Sequence, residues 1–370
     1  MQNKGQISFI EDESPQPADL DPFDPDPVEE DDLWFLPGPD HATLDDAHDL
    51  PLPQADRQPL VDVAAWAKAE ATLARPLAEL AQLSGMLRAR LADGPEGWQH
   101  RLALQEAVDL SWLAGDRVPS ERLALWQMLR LAGGAEDTQA LARAGWAARR
   151  LRDGPRLQDD LATFLGRQAV GAEAALPDKL ADWAEVMGQA RTLHPITQAA
   201  LGFHIWPVVG LSVGHDFGGA APLALMEAAV VAARSSVAGN PVDITGRYFL
   251  PLALGGGGGL RWGGSAEDRL GRWIGGATHA TRAALRTLDR LRDWDTRTQT
   301  LCSDLSGRTP AQLIALLRDW PIVSAPMAEK ETGASRAAVQ RNLNLLVKRG
   351  VAREVTGQER YRFWTTNMSV

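Results

Sequence analysis

From Leu60 onward, apolar residues recur at the three- and four-residue spacing of amphipathic helices. Val63, Trp66, Ala67, Leu73, Leu77, Leu80, Leu83 and Leu87 predict one helix over residues 61–91. Gly94, Pro95 and Gly97 break it, and Leu102, Ala103, Ala107, Leu110 and Leu113 resume the phase over 98–113. Ser120 is expected to cap a third helix that ends at Gly133-Gly134. Further helical patterns cover 138–151, 157–165 and 180–193, and His194-Pro195 opens another that runs to Trp206. Residues 210–219 read as a loop, and Pro222 starts a helix through Arg234. Val242, Ile244, Tyr248, Phe249 and Leu250 give 240–254 a strand-like texture, and the five glycines 255–259 predict a flexible link. The longest helical pattern covers 265–298. Its Leu270, Ile274, Ala277, Thr281, Ala284, Leu288 and Leu291 alternate spacings of four and three, an a/d seam. That seam suits two uses equally: one long helix packed within a bundle, or pairing with a second copy.

The pattern changes between Thr309 and Trp364. Pro310 opens a helix with Leu313, Ile314, Leu316 and Leu317 on one side. Ser324 is positioned to cap a short helix over 325–331, and Thr332-Gly333-Ala334 reads as a tight turn. Ser335 caps the next helix, which runs to Arg349, and Gly350 suits a left-handed C-terminal cap. On this helix Val339, Leu343 and Leu346 share one face, while Arg336, Gln340, Asn344 and Lys348 recur every four residues on another, beside Arg341. Residues 351–355 and 360–364 read as two strands joined by a turn at 356–359. A helix-turn-helix followed by a hairpin is the winged-helix layout. The expected architecture is therefore mainly α, with an acidic disordered tail over 1–59, a helical bundle over 60–300 and a winged helix-turn-helix over 309–364.

Charge sharpens this division. The whole chain carries −10, but residues 1–62 hold 17 acidic and two basic side chains. Residues 308–364 hold ten Lys/Arg and five Asp/Glu. A cationic domain at one end of an acidic chain points to a polyanionic partner. An α-helix fits the major groove, where amides and guanidiniums match base edges. The candidate DNA-contacting residues are Ser335, Arg336, Gln340, Arg341, Asn344 and Lys348 on the helix, with Arg360 and Arg362 on the hairpin. Ser335 and the helix N-terminus would hold a phosphate. A homodimer on a palindromic site is expected to accompany such a domain. The acidic tail, with Phe23 and residues 33–36 as apolar islands, is either a solubilising segment or a docking site for a protein partner.

Other chemistry is sparse. A single cysteine, Cys302, leaves no disulfide framework and no multi-cysteine zinc site. No phosphate-binding Lys-Ser/Thr follows the glycine run, and no GxSxG elbow occurs. His204, His215 and Asp216 form only a loose metal or anion cluster. No cofactor, metal or membrane partner is expected, and the chain reads as a cytoplasmic non-enzyme. Thirteen tryptophans, mostly within helical patterns, are read as core.

Residues 317–328 and 356–364, with the segment 110–118, resemble a bacterial family typical of rhizobia and related alphaproteobacteria. That family joins an uncharacterised helical domain to a C-terminal helix-turn-helix DNA-binding domain. The resemblance implies a transcription regulator. The run from His194-Pro195 to Trp206 is also similar to the helix that leads into the catalytic loop of Fic-type AMP-transferases. Here Gly214-His215-Asp216-Phe217-Gly218-Gly219 lacks the Asn-Gly-Arg that holds nucleotide phosphates in that loop. A divergent nucleotidyl transferase, or a protein-interaction subunit of a DNA-processing or partition complex, is the alternative to a regulator.

Overall fold

The computed structural model describes residues 62–113, 115–129, 135–153, 176–209, 248–256, 258–261, 263–355 and 362–368. The acidic tail, the helices expected over 157–165 and 222–234, and the loop over 210–219 lie outside the described residues. What is described is mainly α-helical, as the periodicity predicts. No described helix is long and apolar enough to cross a membrane.

The first pattern forms two helices instead of one, α1 (Val63–Thr72) and α2 (Ala74–Asp93). Pro76 has no N–H for the Thr72 carbonyl and its ring crowds that oxygen, so the chain kinks at Leu73 (φ −98°, ψ 18°). Then come α3 (Glu96–Leu113), α4 (Ser120–Leu129), α5 (Ala135–Asp153), α6 (Leu176–Gln189) and α7 (Pro195–Ile205). His194 caps α7 through Nδ1, which accepts from Ile196 N at 3.2 Å.

The long helix α8 (Ala266–Leu301) opens with a capping box between Ser265 and Asp268. At 1.5 Å per residue it is about 54 Å long. Its whole seam, Leu270 to Leu291, is buried within this chain against α1, α2 and α7. The bundle use is the one observed, and the seam is not free to pair with a second copy. Trp294, further along α8, and Cys302, just past its end, enter a second apolar cluster with Leu313, Met327, Val339, Leu343, Leu346 and Trp364. One helix thus carries both cores. The helical body and the C-terminal domain belong to one compact unit.

Two local expectations are corrected. The described part of the strand-like stretch, 248–254, is buried but forms no strand. Its N–H groups turn toward one acceptor: Leu252 and Ala253 donate to Glu106 Oε1 (2.7 and 2.9 Å), and Leu254 donates to Glu106 Oε2 (3.0 Å). Gly255 N adds a bond to Asp109 Oδ2 at 3.2 Å. Burial raises the Glu106 carboxyl to about 7 even against these three bonds. The end of the glycine run is not a loose link either. Gly258–Leu260 forms a 3₁₀ turn on α8, where a Cβ at Gly259 would lie 3.0 Å from the Arg272 carbonyl oxygen. Glycine is needed there for close backbone approach.

The C-terminal domain runs α9 (Arg308–Asp319), β1 (Val323–Ser324), α10 (Ala325–Thr332), α11 (Arg336–Lys348), β2 (Ala352–Glu354) and β3 (Phe363–Thr366). The antiparallel sheet has the order β1-β3-β2, with Val323 opposite Trp364 and Glu354 also opposite Trp364. The expected hairpin is present; among the described residues its return strand is Phe363–Thr366, which runs two residues past the expected end at Trp364. Pairing to both β1 and β2 fixes that register. β1 is too short to show alternation in the sequence.

Candidate nucleic-acid interface

The turn between α10 and α11 follows from three side chains and one glycine. Ser324 Oγ accepts from Met327 N at 3.3 Å and starts α10. Gly333, at φ 65° and ψ 10°, ends it in the left-handed region. Thr332 Oγ1 accepts from Ala334 N at 3.2 Å, and Ser335 Oγ accepts from Ala338 N at 3.4 Å to start α11. Val339, Leu343 and Leu346 are completely buried, which fixes the rotation of α11 about its axis.

The opposite side of α11 is open. Ala337, Gln340, Arg341, Asn344, Leu345 and Lys348 line one shallow, open concavity along it. Arg336, Arg341 and Lys348 are exposed and form no ion pair among the described residues. Ser335 is exposed at the helix start, but its hydroxyl already caps the helix. The structure thus brings together six of the eight predicted residues on one helix. Arg360 lies outside the described residues.

Arg362 is placed differently from a free hairpin cation. Its Nε donates to Glu354 Oε1 at 2.8 Å, and Nη2 contacts Glu354 Oε2. Nη2 also donates to Asn344 Oδ1 at 3.3 Å, and the guanidinium lies 5.1 Å from the Trp364 ring centroid. The pairing holds the Glu354 carboxyl below its usual range and raises Arg362. Arg362 therefore ties the hairpin to α11 and its charge is matched locally. Glu354 is a site residue that sequence reasoning missed. The signal was present: it lies eight residues before Arg362 across the turn, within reach of a hairpin pair.

The inner side of the domain is fixed by cations on helix ends. Arg101, buried in α3, donates from Nη1 to the carbonyls of Leu317 (2.8 Å) and Trp320 (2.5 Å), and from Nη2 to Thr366 Oγ1 (3.0 Å). These carbonyls close α9, where the helix dipole favours a positive charge. Burial lowers Arg101 to about 10, so it remains charged at neutral pH. Lys330 of α10 donates to Met128 O in the last turn of α4 at 2.8 Å. Arg349 donates to Leu301 O, the last residue of α8, at 2.6 Å, and to Asp304 Oδ2 at 2.7 Å. Trp294 Nε1 donates to Val351 O at 2.8 Å. His100 meets Trp320 edge-on at 4.2 Å.

No group of three potential metal ligands occurs among the described residues. His204 is buried beside Trp66 and Phe203, and burial with the nearby Arg269 and Arg272 lowers it to about 3. His215 and Asp216, with the segment compared to a Fic loop, lie outside the described residues. No curated protein matches this sequence. Residues 311–366, from within α9 to the end of β3, match the family model of an HTH DNA binding domain.

Proposed function

We propose that the protein is a sequence-specific transcriptional regulator that lays α11 in the major groove of double-stranded DNA. One observation carries this reading. The outer face of α11 presents Arg336, Arg341 and Lys348 exposed and without ion pairs among the described residues, beside the half-buried Gln340 and Asn344, within a domain that matches a DNA-binding family. Arg336 and Gln340 read base edges near the helix start, and Lys348 contacts a phosphate. The helical body carries the domain within one compact unit, and the protein acts in the cytoplasm, where it meets the DNA. Two copies meet by occupying neighbouring half-sites about one helical turn apart, since the α8 seam is already used inside the chain.

The test is a gel shift of the full chain on pooled genomic fragments at low salt, followed by recovery and sequencing of the shifted DNA. A shared motif among the recovered fragments is expected. Arg336→Ala or Gln340→Ala changes the preference at one base pair by about 1–3 kcal/mol. If no fragment shifts, the reading fails.

A further inference from the structure

We propose that Arg282, Arg286 and Arg290 of α8 form a second phosphate-binding surface, which holds the backbone of the double-stranded DNA that α11 reads. This rests on the DNA-binding reading of α11 and extends the contact to the helical body. The three arginines stand four residues apart, so they advance about 6 Å per step along one face of α8. All three are exposed and make no ion pair or hydrogen bond among the described residues. The neighbouring acids do not neutralise them. Asp289 is engaged by Arg292 at 3.0 Å and by Arg90 of α2 at 3.8 Å. Asp293 is exposed and forms no ion pair among the described residues. Like charges one turn apart work against a helix, and α8 is the helix that carries both cores. Folding does not account for this ladder of charge, whereas a polyanion laid along it would.

The place of the ladder in the fold selects the polyanion. Arg297, two turns past Arg290 on the same side of α8, donates to Asn367 O at 3.2 Å, just beyond β3. Trp294 Nε1 holds Val351 O, so α8 is fixed to the hairpin of the DNA-binding domain. The C-terminal end of α11 meets the end of α8 through Arg349 and Leu301 O. Counted back from Leu301, the ladder occupies the stretch of helix axis about 17–29 Å away. With one phosphate per strand every 3.4 Å or so, that distance equals about five to eight base pairs of duplex. Between Gly275 and Arg297 the exposed residues of α8 include no large apolar side chain. A protein partner would call for an apolar centre to the interface. A phosphate backbone needs only the charge and its regular spacing.

The experiment measures binding of the full chain to a labelled random-sequence duplex by fluorescence anisotropy at rising salt. A duplex of about 40 base pairs, about 136 Å long, reaches past both surfaces. Wild type is compared with a ladder variant, Arg282→Ala, Arg286→Ala and Arg290→Ala together. A control variant loses the same charge elsewhere on the body, by Lys68→Ala, Arg75→Ala and Arg191→Ala, all exposed positions. The ladder variant is expected to bind more weakly, with a salt slope shallower by about 2.7, the value of three phosphate contacts. The control is expected to keep the wild-type slope. Alanine favours the helix and removes like-charge pairs, so the unfolding midpoint of the ladder variant is expected at or above that of wild type. Should the triple change unfold the chain, Arg286→Gln alone carries the test, with an expected shift in slope of about 0.9. A ladder variant with the wild-type slope overturns the proposal, as does a control that loses as much, since net charge would then be the cause. Labelled polyglutamate that binds wild type but not the ladder variant, with DNA binding unchanged, would assign the ladder to an acidic protein and also overturn it. Each of these results leaves the reading of α11 intact. No binding of DNA by the wild type at the lowest salt removes both.

Discussion

The two sides of the C-terminal domain use the same residue types for opposite purposes. On the inner side, Arg101, Lys330 and Arg349 each meet the carbonyl end of a helix across the boundary with the body: α9, α4 and α8. On the outer side, Arg336, Arg341 and Lys348 meet nothing described. A helix C-terminus leaves carbonyls unsatisfied, and a cation there offsets both the missing bonds and the dipole. A cation left exposed contributes little to folding but remains available for phosphate. Arg349 and Lys348 are adjacent in sequence, yet the first holds α11 to α8 and the second faces outward. The comparison teaches that the charge count of this domain does not measure its DNA surface. Which helix end each side chain can reach does.

The largest effect should come from the inner side. Arg101→Met leaves buried carbonyls at the end of α9 without donors, and is expected to cost about 3–5 kcal/mol of stability. Urea unfolding would show a lower midpoint. A midpoint within error of wild type would mean that Arg101 does not hold the boundary. Trp294→Phe removes one buried N–H from Val351 O, with an expected cost of about 1–3 kcal/mol by the same measurement.

Lys348→Ala should separate the sides. Stability should stay within about 0.5 kcal/mol of wild type. Affinity for DNA should fall alike for all sequences, and the salt slope should become shallower by about 0.9, the value of one phosphate contact. A stability loss without a change in slope would place Lys348 on the inner side. The smallest effect is at acid pH. The Asp304 carboxyl is lowered from 3.8 to about 2, chiefly by its hydrogen bond from Arg349. A lowered carboxylate pKa adds stability that is present above 3.8 and lost as pH falls through about 2. Asp304→Asn should therefore flatten part of the acid limb of a melting-temperature profile. An unchanged profile would mean that the pair is too solvated to matter.

Local chemistry made much of this domain legible before its structure. Ser324, Gly333, Ser335 and Gly350 announce helix ends because a cap is decided by neighbours within four residues. Gly350 does adopt a left-handed φ of 71°. The apolar spacing of Val339, Leu343 and Leu346 likewise fixes which face of α11 is inward. The α8 seam was legible as a seam, but periodicity cannot say whether its partner is the same chain or another copy. Long-range pairs leave no such trace. Arg101 and Leu317 are 216 residues apart, and nothing in the spacing of α3 names α9 as the partner of a lone cation. The glycine run was misread because flexibility and close packing ask for the same residue. Arg362 was read by charge alone, although Glu354, eight residues before it across the turn, was the sequence signal for the pair that neutralises it.

The central claim is that the open face of α11 holds DNA while the inner face holds the fold. Fluorescence anisotropy with a labelled random-sequence duplex, titrated with the full chain at rising salt, tests it most directly. The comparison is wild type against a variant with Arg336, Arg341 and Lys348 all changed to Ala. The expected result is tight, steeply salt-dependent binding by the wild type, and weak binding with a shallow salt slope by the variant at an unchanged unfolding midpoint. Equal binding by both proteins, or none by the wild type at the lowest salt, would contradict it.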